Sequence, residues 1–343
     1  MEPNNEIVSN AIAQTAVKLC RVAVDTNPSS QLNNLLPKWK IVWSGDTTLP
    51  NYAFVAVDPT GQTYALAIRG SVNPKVFGSI DGFVDWILED LDIALAYWPF
   101  TSGDYSLSTN PPCVSAGGYT AFTSLLQMQD TLGSKRSIAD YLLTNTANKQ
   151  VIITGHSLGG NVANLYASYY AEMLKKNNKS TRNLSLYTFA APASGNSLFS
   201  FDLDSKIISV AHYQNTNDIV PNFPTVQGFE DTAKLYNPIP DASKVMVTLP
   251  GQQQSTTLQN ALDTIAELLG VINLNYTQQS QGLTKFSTDL NLQFNKFNTI
   301  NEWLGQAGVQ HQLPYYADQV GVYNLPPLPQ AAEQLAKPAT ETV

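Results

Sequence analysis

Charge is scarce in this chain. Only 13% of its 343 residues are Asp, Glu, Lys or Arg, about half the usual share, so Asn, Gln, Ser and Thr must cover much of the surface. The charge present leans acidic, with a net −8, which disfavours nucleic acid as a partner and supplies no pull toward anionic lipid. A neutral or zwitterionic ligand fits better. There are two cysteines, Cys20 and Cys113, at a spacing that matches no metal or redox motif. They read as isolated thiols, with pairing in an oxidising compartment as the alternative. No metal-ligand cluster is visible, and neither metal nor organic cofactor is expected. No apolar run reaches transmembrane length. Residues 1–6 are acidic and polar where a secretory leader would be basic and then apolar, so the expected location is cytoplasmic, or exported without a recognisable signal peptide.

What the chain does have is alternation of strand and helix patterns. Residues 5–24 carry Val8, Ile12, Ala16, Leu19 and Ala23 along one helical face. Polar, turn-rich sequence follows to Leu36. Residues 39–43, 52–57 and 63–68 read as strands, the last two joined by the turn Asp58-Pro59-Thr60-Gly61. Residues 83–95, 119–128 and 138–145 have helical spacing, and residues 184–190 and 207–213 read as further strands. This order predicts one α/β domain over 1–343, a mostly parallel sheet with helices on both faces. From Gly228 the rhythm breaks. Residues 225–308 read as an insertion into the fold, with a helix marked by Leu258, Ala261, Leu262, Ile265, Leu268, Leu269 and Ile272. The Pro-rich residues 325–343 read as a poorly ordered tail.

The chemistry concentrates at Gly155-His156-Ser157-Leu158-Gly159, preceded by a β-branched run and followed by an amphipathic helix. A G-x-S-x-G between strand and helix puts the serine on a strained turn, with small residues on each side where strand and helix nearly touch. Ser157 then stands at a helix N-terminus, where free N–H groups can hold an oxyanion. Such a serine needs a base and an orienting acid. There are only three histidines. His156 belongs to the turn and points away from the serine, and His212 lies within a strand and reads as a packed residue. His311, in an apparent loop near the C-terminus, is left as the base. Asp218 follows a strand, where α/β folds build sites at the carboxyl ends, and Pro221 is expected to hold Val220 extended. Asp241 and Asp231 are the alternatives for the acid.

These segments resemble the class 3 lipases, the fungal triacylglycerol lipase-like group of α/β-hydrolases. The carriers are Gly155-His156-Ser157-Leu158-Gly159-Gly160, Ala67-Ile68-Arg69-Gly70-Ser71, Asp85-Trp86-Ile87-Leu88-Glu89-Asp90-Leu91, Gly117-Gly118-Tyr119, residues 187–196, and Asn217-Asp218-Ile219-Val220-Pro221. Ala190 and Ala193 depart from the usual glycine and arginine. The resemblance implies an α/β-hydrolase fold with a helical insertion before the base. It implies hydrolysis of a carboxylic ester, expected to be a lipid ester met at a lipid–water interface. The alternatives are a phospholipase A1-type enzyme, a soluble esterase, an acyltransferase or a non-catalytic relative. It implies Ser157, Asp218 and His311 as the catalytic set, and Ser71 and the Leu158 N–H as the oxyanion hole. Residues 71–92 read as a lid, with Phe77, Phe83 and Trp86 facing substrate and packed core as the alternative.

Overall fold

The computed structural model describes residues 3–70, 92–105, 109–249 and 253–328, with side chains from residue 10 onward. The lid expected at 71–92, with Ser71, Phe77, Phe83 and Trp86, lies outside the described residues except for Asp92.

The chain opens with helices α1 (Pro3–Ala23) and α2 (Pro28–Leu35), then strands β1 (Lys40–Ser44), β2 (Ala53–Val57) and β3 (Thr63–Ile68). Strands β4 (Leu95–Tyr97) and β5 (Cys113–Ser115) precede helices α3 (Ala116–Gln127) and α4 (Ile138–Asn145). Next come β6 (Gln150–His156), α5 (Leu158–Lys176), β7 (Leu184–Phe189), β8 (Gly195–Asn196), α6 (Ser197–Lys206) and β9 (Ser209–Asn215). The last part holds α7 (Val226–Thr232), β10 (Met246–Val247), β11 (Thr256–Thr257), α8 (Leu258–Ile272), β12 (Tyr276–Thr277), β13 (Leu283–Phe286), α9 (Ile300–Gln310) and α10 (Leu313–Gln319).

The central sheet has seven strands in the order β1-β2-β3-β6-β7-β9-β13, antiparallel through β1, β2 and β3 and parallel from β3 onward. Strand alternation sends successive side chains to opposite faces, and each face is buried. Val55, Leu66, Val151 and Ile153 pack with α3, α4 and α5 on one side. Phe54, Ala65, Ala67 and Ile152 pack with α1 and α10 on the other. Ile68 pairs with Gly155, His156 with Phe189, and Phe189 with Tyr213, so four strands end at one level. Ser157 and Asp218 both lie just beyond strand ends at that level.

Several expectations are corrected. The stretch to Leu36 contains α2, because the Asn27 side chain caps Ser30 N and Pro28 suits a first helical turn. Leu95, assigned to a helix, starts β4, which pairs with β5. Within 225–308, Leu283–Phe286 lies parallel to β9 as the edge strand of the main sheet. On α8 the buried set is Leu258, Ala261, Leu262, Ala266 and Leu269, while Leu268 and Ile272 face solvent. Residues 325–328 are tied down rather than loose at their start, since Leu325 is buried and the Arg21 Nε–H donates to Pro326 O at 3.1 Å. Both cysteines are free thiols, and Cys20, buried beside Thr154, has its pKa pushed up to about 12 by burial. Among the described residues no helix is long and apolar enough to cross a membrane, and no His/Cys/Asp/Glu group could hold a metal ion.

Candidate active site

Ser157 lies between the end of β6 and the start of α5 with φ 59° and ψ −131°, a backbone state that a non-glycine residue rarely adopts. Its own N–H donates to Phe189 O at 2.9 Å, and its carbonyl accepts from Gly160 and Asn161 N–H, so the turn is held on both sides. The close approach explains the flanking glycines. A Cβ on Gly155 would meet Gly159 O at 2.0 Å, and one on Gly159 would meet Ile68 O at 2.4 Å. Leu158 is the first residue of α5, so its N–H has no acceptor within the helix and can serve an incoming oxygen. Ser71, its expected counterpart, falls outside the described residues.

The structure brings Ser157, His311 and Asp218 together. Ser157 Oγ lies 2.9 Å from His311 Nε2, and His311 Nδ1 lies 2.7 Å from Asp218 Oδ2. With the carboxylate accepting, the proton on the imidazole is assigned to Nδ1, which leaves Nε2 to accept from the serine hydroxyl. All three are buried, at 8%, 7% and 1% exposure, so the bonds are sheltered from water. Asp218 is further held by Val220 N–H on Oδ1 at 2.9 Å and by the Tyr316 hydroxyl on Oδ2 at 2.6 Å. Burial first, and then the Asp218 charge, push Tyr316 well above the ordinary tyrosine pKa, so its hydroxyl stays a donor.

Two local expectations differ from the geometry. His311 is the C-cap of α9, not a loop residue. Val220 opens a short 3₁₀ turn, Val220–Asn222, instead of extended chain; Pro221 fits its first positions and Asp218 Oδ1 caps Val220 N. Asp231 and Asp241 are elsewhere engaged: Gln227 donates to Asp231, and Asp241 pairs with Lys244 at 3.0 Å.

Sequence reasoning missed three supporting side chains. His156 Nε2–H donates to His311 O at 3.0 Å, and the two rings lie 4.7 Å apart. Burial and the neighbouring His311 both lower the His156 pKa, which keeps it neutral. Tyr316 was invisible because its partner is 98 residues away. Arg69 projects from the end of β3. Its Nε donates to Ala23 O at 2.8 Å, its Nη1 donates to Thr47 O and Leu49 O, and its guanidinium covers the Tyr52 ring at 4.4 Å. Ala190 has φ 53°, the left-handed region, which explains why glycine suits that position.

His212 sits apart from this group, bonded through Nδ1 to Thr188 Oγ1 at 2.7 Å. Burial lowers its pKa from 6.5 to about 4. The unfolded chain therefore binds one more proton than the folded chain between those values, and stability falls as pH drops from about 6.5 to about 4. Unfolding by urea at pH 7 and pH 4.5 checks this. The parent is expected to lose on the order of 2–3 kcal/mol more than His212→Gln over that interval.

The fold is of α/β-hydrolase type, and the hydrogen-bonded Ser–His–Asp set has the arrangement of a serine hydrolase's triad. The family model for lipase (class 3) matches residues 99–228, the stretch from just after β4 through the serine turn and the acid loop. A secreted mono- and diacylglycerol lipase 1 of Fusarium solani is 24% identical over 185 residues, covering 54% of this chain and 46% of that protein. Phospholipase A1-Igamma2, chloroplastic, of Arabidopsis thaliana is 24% identical over 205 residues, covering 54% of this chain and 36% of its own length. The chain thus spans about half or less of these curated relatives. Among solved structures, the M37 lipase matches at a TM-score of 0.68 and 17% identity over 90% of this chain and 92% of its own, a likeness of fold.

Proposed function

We propose that this protein hydrolyses carboxylic esters of lipids through an acyl-enzyme on Ser157. The observation that carries the reading is the buried series Ser157 Oγ–His311–Asp218 at 2.9 and 2.7 Å, set at the mouth of a helix N-terminus. Ser157 Oγ attacks the ester carbonyl carbon while its proton passes to His311 Nε2, and Asp218 steadies the imidazolium. The oxyanion is received by the Leu158 N–H and, on the sequence resemblance, by Ser71; losing one such donor typically costs about 3–4 kcal/mol. The intermediate collapses, the alcohol leaves with the proton from His311, and water repeats the cycle to release the acid. This chemistry calls on no metal or organic cofactor.

The names of the curated relatives support a substrate class: one is named for mono- and diacylglycerol, the other for phospholipase A1. An acyl ester of a glyceride or glycerophospholipid follows, with residues 71–92 as the flap over the acyl chain and Phe77, Phe83 and Trp86 on its inner side. A fluorophosphonate probe with tandem mass spectrometry, followed by p-nitrophenyl esters of rising chain length and a glyceride and phospholipid panel, tests the reading. We expect a single adduct on Ser157 and faster turnover of medium or long acyl chains than of acetate. No adduct together with no ester turnover overturns it.

A further inference from the structure

Six hydrogen-bond contacts of one buried side chain and its backbone link the two halves of the site. Asn215 ends β9, three residues before Asp218, and is 1% exposed. Its carbonyl accepts from Asp218 N–H at 2.9 Å, and its N–H donates to the Tyr316 hydroxyl at 3.3 Å, the same hydroxyl that donates to Asp218 Oδ2. The two hydrogens of its side-chain Nδ2 are shared among three acceptors, Gln310 O at 3.1 Å, Gln310 Oε1 at 2.9 Å and Thr288 Oγ1 at 3.0 Å. Gln310 is the last residue of α9 and immediately precedes His311. Its carbonyl is among those a helix leaves without a partner at its C-terminus, so Asn215 serves as the cap for the turn that presents the base. The Asn215 Oδ1 completes the set by accepting from Asn217 N–H at 3.1 Å. The acid lies on a loop from a sheet strand and the base on the end of a helix 93 residues later. Nothing covalent relates their positions, and Asn215 touches the main chain of one and the neighbour of the other.

We infer that Asn215 is a positioning residue that sets the register between Asp218 and His311. The inference rests on the proposed function and says which residue keeps that site assembled. Asn215 touches no substrate. It acts by holding Asp218 Oδ2 and His311 Nδ1 within a short hydrogen bond, and a displacement of about 1 Å there is enough to cost on the order of 100-fold in rate. Aspartate cannot replace it. Asn215→Asp would keep the oxygen that receives Asn217 N–H but set a carboxylate oxygen against two oxygens of Gln310.

The test compares Asn215→Ala, Asn215→Asp, Gln310→Ala and Thr288→Val with the parent, well below their melting temperatures. Asn215→Ala is expected to lose 10- to 100-fold in kcat with KM within about twofold. Asn215→Asp is expected to lose at least as much. Gln310→Ala removes one of the three acceptors and should lose about 3- to 10-fold, with Thr288→Val smaller still. If Asn215→Ala does not fold, Gln310→Ala carries the comparison. The low-field NMR resonance of the His311 Nδ1 proton gives a second readout that needs no substrate; it should be present in the parent and broadened or shifted in Asn215→Ala. Variants with unchanged kcat and resonance, or with a change confined to melting temperature or to KM, overturn the inference. A parent that shows the resonance but no ester turnover removes the proposed function and leaves the positioning role standing. A parent that turns over ester alongside unaffected variants does the reverse.

Discussion

Replacing His311 with alanine is expected to lower kcat on a soluble ester by about 10⁵- to 10⁶-fold, while His212→Ala stays within about tenfold of the parent. The contrast follows from where the two rings are bonded. His311 Nε2 is 2.9 Å from the serine oxygen, the distance at which a proton can pass, whereas His212 is bonded to Thr188 inside the sheet. Without His311 the serine must lose its proton to water, and what survives is oxyanion stabilisation and substrate binding, roughly 10³- to 10⁴-fold over the uncatalysed rate. Active-site titration with a fluorophosphonate and circular dichroism on both variants separate lost chemistry from lost fold. An active His311→Ala beside a folded but inactive His212→Ala would reject the assignment.

Asp218→Asn is expected to cost about 10⁴-fold in kcat with the fold retained. The carboxylate oxygen that receives His311 Nδ1–H at 2.7 Å also receives the Tyr316 hydroxyl at 2.6 Å. An amide can turn its oxygen toward only one set of donors. If its NH₂ meets His311, the imidazole must carry its proton on Nε2, and the ring then donates toward the serine it should deprotonate. Steady-state kinetics between pH 6 and pH 10 read this directly: the loss should persist across the profile. Near-parental turnover in Asp218→Asn would pass the role to another carboxylate.

The parts legible in the sequence are those written over short distances. The G-x-S-x-G between a β-branched run and a periodic helix specifies a strand, a tight turn and a helix within 27 residues, since every constraint there is between near neighbours. The acid loop was visible for the same reason, as a turn after an apolar run. Helix α9 was not, because Gly305 and Gly308 weaken its propensity and its stability comes from burying Trp303 and Leu304 against distant partners. Strand β13 is four residues with one exposed, too short to register as a pattern, and it exists because β9 offers it an edge. Tyr316, Asn215 and the His156 bond to His311 depend on which side chains the finished topology brings face to face, and no local spacing encodes that.

The guanidinium of Arg69 gives the first helix a share in the site. Its Nε takes the carbonyl of Ala23, the last residue of α1, while Gly70 beside it passes so near the serine turn that a Cβ there would meet His156 O at 2.7 Å. A cation stripped of water in this way needs each of its acceptors. A fragment begun after residue 36 would therefore lose more than a covering layer for Phe54, Ala65 and Ile152. It would orphan the charge that braces the end of β3 beside the serine turn, so α1 is a keystone of that turn despite lying more than a hundred residues before the serine.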